Sequence, residues 1–297
     1  MQRFIPNLWF DSTAEQAAGF YTSVFPESRI RDVQRYPSEG LPEFQQDFAG
    51  QPLAVEFDLA GVRFVGINGG PQFRPNPALS FMVSFDPSRD PDARHRLDTA
   101  WAALLEGGTE LMELGEYPFS LRYGWVEDRY GVSWQLILTD PEGEPRPPIM
   151  ASLLFGGPVQ NRAAEALQFY AEVFGGRLGT TAAYGEPTGP ATAEALMFAE
   201  VEVDGDWLVG MDSGVRQDFT FSPGVSLMLE CSDQAEIDRY WERLSAVPQA
   251  EQCGWCVDRF GVSWQVVPAN LRELMDATPD GYQRMLQMKK IEVAAFG

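Results

Sequence analysis

Apolar and polar positions along this chain follow one order of periods, and follow it twice. RFIPNLWF is a short aromatic and aliphatic run that predicts a strand. In AEQAAGFYTSVF, the residues Ala17, Phe20, Tyr21, Val24 and Phe25 recur at helical spacing and define one buried face. Asp11, Ser12 or Thr13 can cap that helix, with Glu15 near its first turn, and Pro26 ends it. RIRDVQRY alternates as a strand, and LAVEFDLAGVRFVGIN reads as a hairpin turning around Ala60-Gly61. ALSFMVSF is a further strand, and PDARHRLDTAWAALLEGG is a helix closed by glycine. SLRYGWVEDRYGVSWQLIL then supplies two strands around the turn Asp128-Arg129-Tyr130-Gly131.

The second pass repeats this order. ASLLFGG is its first strand, EALQFYAEVFGG matches AAGFYTSVF, and FAEVEVDGDWLVGMD matches AVEFDLAGVRFVGIN at a constant offset of 144. That offset pairs Glu56 with Glu200, Asp58 with Glu202, Gly61 with Gly205 and Asn68 with Asp212. Tyr123–Leu136 and Cys253–Val266 are identical at nine of fourteen positions. The polar, proline-rich stretch between the copies marks a linker. The chain therefore divides into residues 1–139, a linker at 140–148, and residues 149–297. GYQRMLQMKKIEVAAF has no partner in the first copy and predicts an amphipathic helix followed by a short strand. Helices punctuating hairpin-connected strands argue for an α+β fold with mixed sheets, not a doubly wound parallel one.

LWFDSTAEQAAGFYTSVFPESRI, the VEFDLAG hairpin with GINGGP, DRFGVSWQVVP and the tail MLQMKKIEVAAF together resemble one branch of the vicinal oxygen chelate superfamily. That superfamily also holds glyoxalase, bleomycin-resistance and ring-cleaving dioxygenase proteins. The branch is PhnB-like and often labelled as a demethylubiquinone methyltransferase. The resemblance implies tandem glyoxalase-like domains, each of two βαβββ modules forming a cupped mixed sheet around a pocket. It also implies a monomer that mimics the dimer of shorter relatives, with a homodimer as the alternative. Methyl transfer from S-adenosylmethionine normally goes with a glycine-rich turn opening a helix and an acidic residue about 20 positions on. GGPQF and FGGRL are only glycine pairs at turns, so the label is not taken as a function.

In metal-using members of the superfamily, His and Glu side chains converge on a divalent ion, and the Glu stands in the last strand after an Asp-x-x-Gly turn. Gln135 and Gln265 fill that place here, and Ala54 and Phe198 fill the place two residues before Glu56 and Glu200, where relatives often carry His. The opening strands IPNLWF and ASLLF carry no His either. Amide oxygen is a weak ligand for a transition metal, so no metal and no cofactor is expected. Glu56 with Gln135, or Glu200 with Gln265, would at most hold a hard cation loosely.

Net charge is −21, with −10 on the first 148 residues and −11 on the rest. An even acidic coat repels phosphate backbones and anionic lipid, so nucleic acid and membrane are excluded as partners. No apolar stretch is long enough to span a membrane and no signal peptide precedes the first strand, which makes the cytoplasm the expected location. Only Lys289 and Lys290 are lysines, so a Schiff-base lysine has almost no candidates. The single histidine, His95, lies among Asp92, Arg94, Arg96 and Asp98 on a solvated helix face. Cys253 and Cys256 fit C-x-x-C, but the segment reads as a strand, where residues three apart face opposite ways. Strand parity puts Ser133, Gln135 and Ile137 on one face and Trp134 on the other, where it packs helices against the sheet.

The candidate site residues are thus Gln135, Gln265, Glu56, Glu200, Ser133 and Ser263, taken as anchors in apolar cups for a small molecule. An enzyme using Glu56 or Glu200 as a general base is the alternative. One copy serving only as structure is a third reading.

Overall fold

The computed structural model describes residues 2–297, for Phe44 the backbone alone. Four modules follow one another. The first comprises β1 (Ile5–Phe10), α1 (Ala14–Val24), β2 (Arg29–Arg35), β3 (Pro52–Leu59) and β4 (Val62–Asn68). The second comprises β5 (Leu79–Phe85), α2 (Ala93–Leu105), β6 (Thr109–Tyr117), β7 (Ser120–Glu127) and β8 (Ser133–Leu138). The third holds β9 (Ile149–Phe155), α3 (Ala163–Phe174), β10 (Arg177–Ala183), β11 (Leu196–Val203) and β12 (Asp206–Asp212). The fourth has one strand fewer: β13 (Val225–Cys231), α4 (Gln234–Leu244), β14 (Trp255–Val257) and β15 (Ser263–Pro268). Two short helices, α5 (Leu271–Ala277) and α6 (Gly281–Leu286), end the chain with a 3-10 turn over Val293–Phe296.

Local chemistry accounts for the elements. The β3–β4 turn places Ala60 (φ 48°) and Gly61 (φ 80°) in the left-handed region, and Asp204 (φ 52°) with Gly205 (φ 84°) repeats this between β11 and β12. Two successive positive φ values make the primed turn whose twist matches a hairpin. The helix starts differ from the sequence reading, because no side chain among Asp11, Ser12 and Thr13 caps α1. The Ala14 amide instead donates to Asn68 Oδ1 at 2.9 Å, and the Ala163 amide donates to Asp212 Oδ1 at 3.1 Å. A residue at the end of the hairpin therefore caps the helix that began the module.

The modules pair across the copies. One mixed sheet runs β14-β15-β13-β1-β4-β3-β2 and the other β10-β11-β12-β9-β5-β8-β7-β6. Each sheet thus joins a leading module of one copy to the closing module of the other. The joints are antiparallel, with Asn7 opposite Ser226 between β1 and β13, and Ser80 opposite Ser152 between β5 and β9. The tandem α+β architecture is as expected, and the modules that share a sheet come from opposite copies.

The faces bearing helices meet in one apolar core. Trp134 is fully buried there, 5.2 Å from Tyr21 and 5.3 Å from Phe81 between ring centroids. Trp264 lies 5.4 Å from Phe174 and 5.5 Å from Tyr170. Phe64 of the first sheet meets Phe81 of the second edge-on at 5.0 Å. Trp134 and Trp264 do what strand parity assigns them, and their neighbours Gln135 and Gln265 point to the other face of each sheet.

The end of the chain departs from the sequence reading. The expected strand is a 3-10 turn, and α5 precedes the expected helix. Leu271, Leu274, Met275, Met285 and Met288 pack with Val267, Ile291 and Phe296 against Met228 on the first sheet. The Cys253 and Gly254 amides donate to the Met288 and Lys289 carbonyls at 2.8 and 2.7 Å, which ties the tail down. β6 has no clear apolar alternation and is mostly exposed, as an edge strand. No helix among the described residues is long and apolar enough to cross a membrane.

Candidate ligand cups

The open face of the second sheet carries a closed hydrogen-bond network at its centre. Gln135 is 1% exposed. Its Oε1 accepts from the Tyr123 hydroxyl at 2.7 Å, and its Nε2 donates to Ser80 Oγ at 2.8 Å and Ser152 Oγ at 3.2 Å. Ser133, on the same face, accepts from Trp125 Nε1 at 2.6 Å. Burial pushes the Tyr123 phenol up, so it stays a neutral donor. Around this network stand Met82, Met150, Trp207 and Val209, with Ile137, Phe198 and Met211 partly buried beside them.

The first sheet repeats the plan with changed residues. Gln265 Nε2 donates to Ser226 Oγ at 2.9 Å. Asn7 stands where Ser152 stands, Cys253 replaces Tyr123, and Ser263 is buried beside Gln265. Asn7 Nδ2 turns to the Ile5 carbonyl at 3.1 Å. Here the tail covers the open face.

The crossed assembly revises which candidates meet. Glu56 does not share a sheet with Gln135, nor Glu200 with Gln265, so neither expected cation pair exists. Gln135 shares its sheet with Glu200, and Gln265 shares its sheet with Glu56. Each carboxylate already has a guanidinium. Glu56 contacts Arg63 at 3.1 Å, and Arg63 also reaches Glu230 at 2.8 Å. Glu200, whose side chain is 5% exposed, receives Arg146 through two parallel bonds of 3.0 Å, Nε to Oε1 and Nη2 to Oε2. The same guanidinium lies 4.1 Å above the Trp207 ring. Arg63 and Trp207 are counterparts in the two hairpins.

Neither network suits a transition metal. The glutamine donors are amide and hydroxyl groups occupied with one another, and the carboxylates are neutralised by arginine. Among the described residues no three His, Cys, Asp or Glu side chains stand together as an ion site. His95 is exposed on α2. Cys256 lies in β14, while Cys253 precedes the strand in a turn at φ 53°, a correction to the reading of both as strand residues. Burial raises both thiols, the opposite of what thiolate chemistry needs. Two surface hollows of about 400 Å³ border the carboxylates of the first sheet. One lies between Arg3, Asp204, Glu230 and Glu236, the other beside Arg29, Arg31 and Glu56.

Sequence reasoning missed Arg146, Trp207, Tyr123, Ser80 and Ser152. The serines left a signal, a small hydroxyl inside otherwise apolar strands. Arg146 left none, because nothing in a linker's composition shows where its one arginine lands.

Asp-Arg-x-Gly-Val-Ser-Trp-Gln occurs once in each copy, at 128–135 and 258–265. Asp258 Oδ1 accepts from the amides of Phe260 at 2.8 Å and Val262 at 3.0 Å, and its Oδ2 accepts from Tyr170 at 2.7 Å and Trp264 at 2.8 Å. The Asp holds the turn, the Trp anchors helices, and the Ser and Gln face the cup.

The family model described as 3-demethylubiquinone-9 3-methyltransferase matches residues 2–137 and 147–267. A solved structure from Bacillus cereus, a putative 3-demethylubiquinone-9 3-methyltransferase and PhnB protein, is 36% identical; it covers 46% of this chain and 100% of its own, with a TM-score of 0.40. Glyoxalase I from Zea mays, 13% identical, covers 93% of this chain and 94% of its own at a TM-score of 0.56, a likeness of fold. No curated protein matches. The chain has the vicinal oxygen chelate fold and belongs, through both of its copies, to the family described as 3-demethylubiquinone-9 3-methyltransferase.

Proposed function

We propose that this chain binds a small molecule in the cup of its second sheet without transforming it, and that the first cup is structural. The observation that carries this reading is the unequal filling of two homologous faces. The tail lies hydrogen-bonded over the first face. The second face is filled by methionine side chains and one arginine from the linker. Thioethers rearrange at small cost and make adaptable binding walls. An apolar wall with a few fixed polar groups is the usual composition of a small-molecule site.

The general-base alternative meets its obstacle at Glu200, where the Arg146 guanidinium engages both oxygens, while at Glu56 Arg63 pairs with one oxygen and lowers the basicity of the group. The methyl transfer in the family's description is not adopted. Gly175, at φ 69°, ends α3, and Gly176 fits against the Glu202 carbonyl. A glycine pair at a helix C-terminus is not the glycine-rich turn between a strand and the start of a helix that seats a nucleoside cofactor.

A thermal-shift screen of metabolites against the tag-free protein tests the proposal, since a ligand specific for the folded state raises the midpoint. The shift is expected to vanish in Trp207→Ala and to persist in Glu56→Gln. A shift that persists in Trp207→Ala and vanishes in Glu56→Gln would move the site to the other sheet. Stoichiometric zinc, manganese or iron in that preparation would overturn the reading of the cups as sites without a metal.

A further inference from the structure

We infer that the second cup is a receptor for an organic cation with a flat apolar body, and that Arg146 occupies it as the chain's own competitor. This rests on the proposed ligand-binding reading and adds the chemistry of the ligand. Three features carry it.

The receptor half is built. Glu200 is buried, both its oxygens face a planar guanidinium, and the Trp207 ring lies under that guanidinium at 4.1 Å. A carboxylate fork beside an aromatic face binds amidinium and guanidinium groups in two ways at once, by parallel hydrogen bonds and by the ring quadrupole. The apolar wall of Met82, Met150 and Val209 stands beside it for the body of the guest.

The occupant comes from a segment that is not part of the sheet. Arg146 belongs to neither β8 nor β9 but to the arm between them, whose residues 140–145 are exposed. The Gly143 amide donates to the Asp140 carbonyl and the Glu142 amide to Asp140 Oδ1, so these bonds hold the arm to itself. Arg146 reaches from the arm into the sheet.

The homologous face shows the contrast. In the first sheet the guanidinium comes from Arg63 on β4, the strand position equivalent to Trp207, and Glu230 holds it from the far side. Glu56 thus takes its cation from its own sheet. In the second sheet the strand supplies an aromatic surface, and the cation on Glu200 comes from the linker, while Arg177 of β10, 5.7 Å from the same ring, is paired with Glu202. A net charge of −21 further raises the local concentration of cations over anions.

An internal competitor lowers apparent affinity by the fraction of time the site is free. The test uses phenylguanidinium, its neutral isostere phenylurea, and benzoate, titrated calorimetrically into the whole chain. Phenylguanidinium is expected to bind better than phenylurea. Arg146→Ala should tighten phenylguanidinium at least about tenfold, and Glu200→Gln should abolish its advantage over phenylurea. In the wild-type protein, where folding is not in question, phenylguanidinium should speed cleavage between Glu142 and Gly143 by a glutamate-specific protease, because the arm is released.

Equal binding of phenylurea and phenylguanidinium would overturn the inference and leave the ligand-binding reading standing. Benzoate binding that is lost in Arg146→Ala would overturn it in favour of an anion site. Absence of phenylguanidinium binding in a folded Arg146→Ala, with no change in wild-type proteolysis, would also overturn it.

Discussion

Trp264 donates its indole N–H to Asp258 Oδ2 at 2.8 Å, and Trp134 does the same to Asp128 at 2.8 Å in the other copy. One buried carboxylate thus holds a turn and a core indole together at two equivalent places. Burial raises both carboxyl pKa values above the ordinary 3.8, against the hydrogen bonds that pull them down. A group with a raised folded-state pKa keeps a proton that the unfolded chain releases. Its contribution to stability is therefore fully present below about pH 4 and is lost as pH rises through the raised value. Asp258→Asn puts an N–H against the indole N–H and should cost about 1–3 kcal/mol. The deficit in urea denaturation should be largest near pH 4 and shrink towards pH 7. A deficit that grows over that range would contradict the direction assigned to Asp258.

Gln135 satisfies three hydroxyl groups, so removing its amide leaves buried polar atoms unpaired. Gln135→Leu is expected to cost about 1–3 kcal/mol. Gln265→Leu should cost less, because that amide has one side-chain partner, Ser226. Chemical denaturation of the two variants side by side decides this.

The two homologous ion pairs should differ in the same experiment. Glu200 is 5% exposed and Glu56 is 32% exposed by side chain. Glu200→Gln breaks a buried fork and should cost about 3 kcal/mol or more. Glu56→Gln removes a half-exposed partner and should cost less than about 1 kcal/mol. Equal losses would show that the arm does not bury the pair.

The tail should behave as part of the fold. Ile291 is fully buried, and Ile291→Ala should cost about 2–5 kcal/mol. Removing the chain from Leu271 onward should uncover Met228 and Val267, read as a rise in binding of a hydrophobic dye. Neither change should alter a ligand shift that resides in the second cup.

Much of this fold was legible in the residues. The duplicated periods gave the modules, parity gave the faces of Gln135 and Trp134, and the Asp-x-x-Gly turn located the closing strands. The pairing of modules was not legible, because β1 can match a closing module of either copy by pattern alone. Choice between them lies in pairings between the copies, such as Ile5 with Met228. That is why Glu56 was matched with Gln135. The role of the tail was hidden for a related reason: its methionines show a buried stripe and say nothing of which surface they cover. Burial also concealed the nature of Gln135, which reads as a ligand until the hydroxyls around it are counted.

The interleaving of the copies has a consequence for the order of events at the ribosome. Ile5 must wait for Met228 before one side of β1 is paired. Over the intervening synthesis, β1 offers open backbone to any strand nearby. Pairings so far apart in sequence form late and slow the search for the native state. The nascent first copy is complete as text and incomplete as structure, and the last module made is the one that seals the first.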